Sequence, residues 1–316
     1  MPETRTVIPR PFPPVRPHGE LEEVFPDVFR VSGSINIGPM RFSRNMTVLR
    51  QGDSLVLINT VRLNDAALET LEALGQVRHI LRIGGWHGSD DAFYKDRYDC
   101  PVTSVRGQRY FEGTTAEKGN TYFASDHEID ADDELPIEGA SLYVVHTTPP
   151  EAILRIPAGG GTLITADALQ NWPRADENFN FLGKIGMNLG GMVKPLTMMK
   201  PWVDKYKPPR EEMAGILELD FDNVLPGHGE AVIGGALQKF RPAIEAYAGL
   251  DTPEHRCPHP SNRPISKTMP TTSKRRARSI STTWTGSEPI QCVTWFPSWF
   301  LRRTTEPDYR HLVPNI

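Results

Sequence analysis

The sequence predicts an α/β fold whose short strands end in polar turns. Between residues 24 and 58, β-rich runs alternate with turn residues, which is typical of an antiparallel meander. Further along, a strand pattern is followed twice by apolar residues at helical spacing. His or Asp stands directly after several strands, and turns in such positions present side chains to ligands rather than to a core.

The length and composition describe an ordinary soluble protein. The 316 residues are enough for one large domain or two small ones, and 38% of them are hydrophobic. No apolar run reaches about 18 residues, so we expect no membrane span. The chain begins without the apolar stretch of a signal peptide, and its three cysteines are too widely spaced for a disulfide framework or a metal knuckle. These features predict a reducing, cytoplasmic location.

Charge and proline content divide the chain into three parts. Residues 1–19 are rich in proline and are expected to form an extended leader. Residues 20–250 carry the strand and helix patterns and form the predicted domain. Residues 251–316 contain nine prolines and ten Lys or Arg against five Asp or Glu, which predicts a disordered basic tail. Because the whole chain has a net charge of -4, the domain itself is acidic, and we expect it not to bind nucleic acid.

The predicted elements follow in order along the domain. Apolar residues at helical spacing predict a helix over residues 64–74, with Asn64 as its N-cap and Gly75 after it. A strand at 79–83 and a helix from residue 92 come next. The remaining strands are predicted at 102–105, 141–145, 152–156, 162–165 and 221–225, and the remaining helices at 209–219 and 234–247.

Two further stretches have structural interpretations. The three glycines at residues 159–161 lie between two strands, which favours a hairpin turn over a phosphate cradle. The segment 170–207 contains several Met and Trp residues, and we favour core packing over a helix that covers the mouth of a site.

Polar residues follow four of the predicted strands. One strand ends in a glycine-loosened loop at residues 83–91, and the others end near residues 146, 167 and 228. Imidazole and carboxylate groups at the ends of several strands are what a divalent metal site needs. The candidate residues are His87, Asp90, Asp91, His146, Asp167 and His228.

Each candidate also has an explanation that requires no metal. Asp167 could cap the following helix, and His146 could be a strand-end histidine bonded to the backbone. His228 lies between two glycines, where it contributes little to packing, and this favours a role in binding. The sequence does not decide between Asp90 and Asp91, since one could bind metal while the other holds a neighbouring His.

The order of these motifs resembles the metallo-β-lactamase fold superfamily. That superfamily has a β-meander ending in an Asp-Thr-Gly-like turn, a His-x-His-x-Asp-His loop, a later His, an Asp in a Gly-Asp-Ala context and a final Pro-Gly-His. The corresponding segments here are residues 57–60, 87–91, 146–147, 165–169 and 225–229. The resemblance covers about residues 20–250. It implies an αββα four-layer sandwich of two mixed β-sheets with outer helices, and metals at one edge between the sheets.

The chain departs from the superfamily pattern in three places, as a divergent member would. Ser89 and Ala92 stand where the first loop should offer its second and last His. Two valines replace the Pro-Gly before His146. Asn59 replaces an Asp, which removes a carboxylate that would normally orient the loop.

The resemblance implies a set of metal ligands and a range of metals. The ligands would be His87, Asp91, His146, Asp167 and His228, with Glu151 as the alternative to His146 and Asp90 as a further possibility. Zinc is the expected metal, and iron or manganese also suits oxygen-rich ligation. The number of ions would be one or two, or none if the altered first loop makes the site degenerate.

The expected function follows from such an ion. A bound divalent metal lowers the pKa of water, so a metal-bound hydroxide could attack a carbonyl or phosphorus centre, while Asp91 or Asp90 holds the water and accepts its proton. The chain is therefore expected to be a metal-dependent hydrolase of a small-molecule ester, amide or phosphoester. Two alternatives stay open: a non-catalytic domain with a degenerate metal site, and an iron-dependent oxidoreductase on the same fold.

Overall fold

The computed structural model describes residues 12–108, 110–111 and 121–250. The first eleven residues of the expected leader and the whole of the predicted tail, residues 251–316, lie outside the described residues.

Within these residues the chain forms thirteen strands and six helices. The strands are β1 (Glu22–Phe25), β2 (Val28–Ile37), β3 (Met40–Gln51), β4 (Ser54–Ile58), β5 (Gln76–Arg82), β6 (Val102–Val105), β7 (Tyr110–Phe111), β8 (Thr121–Phe123), β9 (His127–Ile129), β10 (Ser141–Val145), β11 (Glu151–Ile156), β12 (Thr162–Ile164) and β13 (Asn223–Leu225). The helices are α1 (Asp65–Leu74), α2 (Asp91–Tyr98), α3 (Phe181–Leu189), α4 (Lys200–Tyr206), α5 (Arg210–Gly215) and α6 (Ala236–Ala248).

The larger sheet has the strand order β1-β2-β3-β4-β5-β6-β9. Strands β1 to β4 pair antiparallel, which confirms the predicted meander, and β4, β5, β6 and β9 run parallel. The β2–β3 hairpin is longer than the β-rich runs at residues 28–31 and 46–50 predict, because the stretch between them also pairs, from Val28 with Leu49 to Ile37 with Met40. This extension brings residues 43–45 to the region of the candidate site.

The smaller sheet has the strand order β10-β11-β12-β13. Strands β10, β11 and β12 pair antiparallel, and the glycines at residues 159–161 form the turn between β11 and β12, as predicted. Strand β13 pairs parallel to β12, with Ile164 opposite Leu225. The two strands therefore end at the same edge of the sheet.

The two sheets enclose one apolar layer and helices cover their outer faces. Side chains such as Ile58 and Leu81 of the larger sheet pack with Leu154 and Ile164 of the smaller one. Helices α1 and α2 pack on the other face of the larger sheet, and α4, α5 and α6 pack on the other face of the smaller sheet. The predicted αββα sandwich is confirmed.

The helix predictions agree in their main features. Asn64 caps α1 by accepting the backbone N–H of Ala67 at 2.9 Å, and Gly75 ends the helix. The Met- and Trp-rich segment contributes buried side chains to the core, including Trp172, Met187 and Trp202, as expected. None of the described helices has the length and apolar character needed to cross a membrane.

Candidate metal centre

Three candidate side chains converge at one edge of the sandwich. Asp167 follows β12 and His228 follows β13, and the parallel pairing of these strands brings the two residues together. His87 follows β5 of the other sheet. One ligand atom of each residue lies within 4.8 Å of the others, and in the described part of the chain this is the one group of three or more His, Cys, Asp or Glu with such spacing.

The two imidazoles face the same carboxylate oxygen. Nε2 of His228 lies 3.3 Å from Oδ1 of Asp167, and Nε2 of His87 lies 3.7 Å from it. The two imidazole rings are 5.1 Å apart, centre to centre. All three side chains are buried.

The β2–β3 hairpin fixes the orientation of His228. Nδ1 of His228 lies 2.9 Å from the carbonyl oxygen of Ser43 and must donate to it, because a carbonyl can only accept. In a neutral imidazole the lone pair is then on Nε2, the atom that faces Asp167. Asn45 holds the same turn, since its side-chain amide donates to the carbonyls of Pro226 and Gly229 at 2.7 and 2.9 Å.

Two glycines allow the three loops to approach each other. A Cβ on Gly84 would lie 2.4 Å from Cβ of Ala166 and 2.7 Å from Cδ2 of His87. A Cβ on Gly227 would lie 2.9 Å from Cα of Ala166 and 3.0 Å from Cε1 of His87. Side chains at these positions would separate the residues that now form the cluster.

Glu151 orients the turn that carries Asp167. It is completely buried at the start of β11, and its Oε1 accepts the backbone N–H groups of Asp167, at 2.7 Å, and of Ala168. Burial and the charge of Asp167 raise the pKa of the Glu151 carboxyl well above its usual value. Burial therefore disfavours a charge on Glu151, and its two backbone hydrogen bonds make it a structural support beside the cluster.

The two imidazoles favour ionisation of Asp167. Burial opposes ionisation of Asp167, but hydrogen bonds and charges from His228 and His87 outweigh it and lower its pKa. Burial also lowers the pKa of His87, and the nearby positive charge of Arg44 acts in the same direction. The cluster can thus offer two imidazole nitrogens and one carboxylate.

The first loop uses its two carboxylates differently from the expected ligand set. Asp91 begins α2 and its Oδ1 accepts a hydrogen bond from the Thr60 hydroxyl at 2.5 Å. Oδ2 of Asp90 pairs with the guanidinium of Arg44 and accepts the backbone N–H of Arg62 at 2.9 Å. Neither carboxylate belongs to the His87, Asp167 and His228 group.

His146 does not join the cluster either. Its side chain is 67% exposed and its Nδ1 lies 3.0 Å from Oε1 of Glu212. Glu212 also accepts the backbone N–H of His146 at 2.7 Å, so an α5 residue holds it at the surface. Of the two alternatives, Glu151 is the one that the structure places beside Asp167.

Asn59 orients the start of the first loop, which is the role expected of the Asp that it replaces. Its Oδ1 accepts the backbone N–H groups of Ile83 at 3.2 Å and Gly84 at 3.4 Å, at the start of the first loop. An amide oxygen needs no charge to accept these bonds, so the loop is held without a carboxylate.

The residues fit a divalent metal ion. Two acceptors, Nε2 of His228 and Oδ1 of Asp167, face each other across 3.3 Å, an arrangement that a proton or a cation must stabilise. Oδ2 of Asp167 and Nδ1 of His87 are buried without a hydrogen-bond partner in the described structure. Two imidazoles and a carboxylate form a ligand set suited to zinc and to iron.

The sequence did not indicate that residues of the β2–β3 hairpin support the cluster. Ser43, Arg44 and Asn45 precede the strand predicted from residue 46, and nothing in their local pattern indicated a function. Their contacts are with residues 45 to 185 positions away in the chain, so only the fold reveals them.

Comparison with known proteins identifies the fold. No family model matches the chain, and no curated protein matches it. Among matching solved structures, FIM-1 from Pseudomonas aeruginosa, a metallo-β-lactamase in its mono-zinc form, is 11% identical, with a TM-score of 0.50 over 75% of this chain and 98% of that chain. A metallo-β-lactamase from Hirschia baltica is 15% identical, with a TM-score of 0.46 over 71% of this chain and 97% of that chain.

The chain therefore has the metallo-β-lactamase fold, as its motif order implied. At these identities the similarity establishes architecture alone, because one fold supports many chemistries. Function has to be argued from the site.

Proposed function

We propose that this chain is a metal-dependent hydrolase that acts on a small-molecule ester, amide or phosphoester. The observation that carries the proposal is the convergence of His87 and His228 on one oxygen of Asp167, in a buried site at the end of three strands. A divalent ion held there would lower the pKa of water and stabilise negative charge on a substrate oxygen.

The residues of the chain hold this site in position before any metal binds. The Ser43 carbonyl fixes the tautomer of His228, and Glu151 fixes the backbone at Asp167. Such supporting contacts matter because they orient ligands and tune their basicity. Removing a support should therefore weaken metal binding even where all three ligands remain.

Asp91 is our proposed acceptor of the water proton. Asp90, the other candidate, is already engaged by the guanidinium of Arg44 and by the backbone N–H of Arg62. Asp91 lies in the first turn of α2, four residues after His87, and Thr60 orients one of its oxygens. A general base needs to be oriented toward the proton that it accepts.

Zinc is the proposed metal, in a cytoplasmic protein with a small-molecule substrate. FIM-1, the similar structure with the higher TM-score of the two described, is recorded in a mono-zinc form, which is compatible with a three-ligand centre here. The ligand set also supports a second candidate function. Two His and one Asp are the ligands of many non-haem iron oxygenases, so an iron-dependent oxidoreductase is the alternative.

Metal analysis and activity assays of the full chain test both candidates. We expect about one equivalent of zinc in the purified protein and hydrolysis of a generic ester or phosphodiester that a chelator abolishes and zinc restores. Bound iron with substrate-dependent oxygen consumption would favour the oxidoreductase. A protein that binds metal but shows neither activity would support the non-catalytic alternative, and one that binds none would contradict the proposal.

A further inference from the structure

A buried arginine lies against the first loop of the site. Arg44 is in β3 and only about 5% of its side chain is exposed. Its guanidinium donates one hydrogen bond to the Ser89 hydroxyl at 3.0 Å and another to the carboxylate of Asp90. The neighbouring residue in the strand, Ser43, accepts the hydrogen bond of His228, so one short segment contacts both parts of the site.

The pairing with Asp90 makes this burial possible. A guanidinium without a counter-ion is costly in a protein interior, so a buried arginine requires a partner of opposite charge. The Asp90 side chain is about as buried as that of Arg44, so each charge compensates the other. The pair is therefore a fixed part of the folded site rather than a surface contact.

His87 is the residue of the first loop that belongs to the metal cluster. Ser89 and Asp90 are engaged by Arg44, and Asp91 accepts from Thr60. A second metal ion at this loop would need these oxygen atoms as ligands. It would also have to lie beside a guanidinium, and two cations repel each other strongly in a medium of low dielectric constant.

We propose that Arg44 is a built-in cation that takes the place of a second metal ion. The site then binds one ion, at His87, Asp167 and His228, and the guanidinium supplies the second positive charge. This inference rests on the proposed metal centre and goes beyond it by fixing the stoichiometry and by assigning Arg44 a positioning role through Asp90.

Titration of the metal-free full chain with Co²⁺ tests the stoichiometry. We expect the visible absorption of bound Co²⁺ to reach its plateau at one equivalent, and native mass spectrometry to show one ion per chain with excess Co²⁺. Two equivalents would overturn the role of Arg44 while leaving the metal centre intact. No binding would overturn the metal centre, and the inference with it, so the two failures are distinguishable.

Three variants test the charge of Arg44 directly. Arg44→Met leaves the Asp90 carboxylate without its counter-ion, and we expect this variant to bind a second Co²⁺. Excess Co²⁺ should also raise the thermal midpoint of this variant by more than it raises that of the wild type. Arg44→Lys keeps the charge, and Arg44→Met/Asp90→Asn removes both charges, so each should bind one ion.

The outcome of these variants is decisive in both directions. One Co²⁺ in Arg44→Met, with the same response of the thermal midpoint as the wild type, would contradict the inference. If Arg44→Met does not fold, a second Co²⁺ in the Arg44→Lys protein would contradict the inference equally, because that variant keeps the positive charge.

Discussion

Oε1 of Glu151 accepts the backbone N–H of Asp167 at 2.7 Å, which joins two buried carboxyl side chains at the edge of the smaller sheet. Burial and the charge of Asp167 raise the pKa of Glu151. Burial also tends to raise the pKa of Asp167. Hydrogen bonds and charges from His228 and His87 outweigh this effect, so the pKa of Asp167 is lowered. The two opposite shifts favour ionisation of Asp167, the residue that faces the imidazoles, and disfavour ionisation of Glu151.

This division of charge predicts different effects for two substitutions of Glu151. Glu151→Gln should fold with nearly unchanged stability, because its amide oxygen can accept the same two backbone N–H groups and burial already disfavours a charge at this position. Glu151→Ala should lose stability, since each buried N–H left without a partner costs about 1–3 kcal/mol. Urea unfolding at neutral pH measures both. Equal stability of the Ala variant and the wild type would show that Glu151 does not support this turn.

Removal of a proposed ligand should remove the metal. Asp167→Ala and His228→Ala are expected to reduce metal affinity by well over tenfold, because the loss of a supporting residue alone typically costs about 10–100-fold. His146→Ala is the matched control, since His146 is exposed and held by Glu212. Elemental analysis after gel filtration measures the bound metal. Loss in the control, or retention in both ligand variants, would contradict the assignment.

The αββα fold was implied by the resemblance of the motif order to the metallo-β-lactamase superfamily, and the meeting of strand ends was predicted from polar residues that follow several strand patterns. Asp167 and His228 follow neighbouring parallel strands, so their proximity follows from the topology once the strands are recognised. Their role as metal ligands remains a prediction.

The partners of the other candidates could not be predicted from local sequence. Glu212 holds His146 from 66 positions away, and Arg44 holds Asp90 from 46 positions away. Arg44 also lies in a polar stretch that has no strand pattern and pairs only because β2 and β3 extend together. Contacts of this kind depend on tertiary structure, which overrides local propensity.

The close approach at Gly227 predicts a steric requirement for glycine. Gly227→Ala would place its Cβ 2.9 Å from Cα of Ala166 and 3.0 Å from Cε1 of His87. We expect a loss of about 1–3 kcal/mol, as for other overpacked sites, together with weaker metal binding. Gly19→Ala is the control, because its Cβ would have no neighbour nearer than 3.7 Å. Thermal unfolding and a metal titration of both variants measure the effects, and identical behaviour would contradict the predicted clash.

Helix α3 presents most of its larger apolar residues to solvent. The side chain of Phe181 is 75% exposed, whereas Met187 is 3% exposed and packs in the core. Met187→Ala should therefore cost about 2–5 kcal/mol, and Phe181→Ala should change stability by less than about 0.5 kcal/mol. Urea unfolding of both variants measures the difference. A larger loss for Phe181→Ala would mean that this face is covered in solution.

Burial of Cys100 should make the free energy of unfolding of the domain fall at alkaline pH. Its side chain is buried, and burial raises the pKa of its thiol to about 12. Between its ordinary value of 9.0 and about 12, the folded state keeps the thiol proton while the unfolded state releases it. The contribution of this thiol to the free energy of unfolding is therefore fully present below about pH 9 and is lost as the pH rises toward 12.

A chain in which Cys257 and Cys292 are replaced by Ser isolates this effect. We compare the free energy of unfolding of this chain with that of the same chain carrying Cys100→Ala, and we expect the difference in favour of Cys100 to shrink as the pH rises from 9. We also expect the Cys100 thiol to react slowly with a disulfide reagent until urea unfolds the protein. Other titrating groups are common to both chains, so they cancel in the difference. A difference that does not change with pH, or a thiol that reacts rapidly in the folded protein, would show that the fold does not protect Cys100.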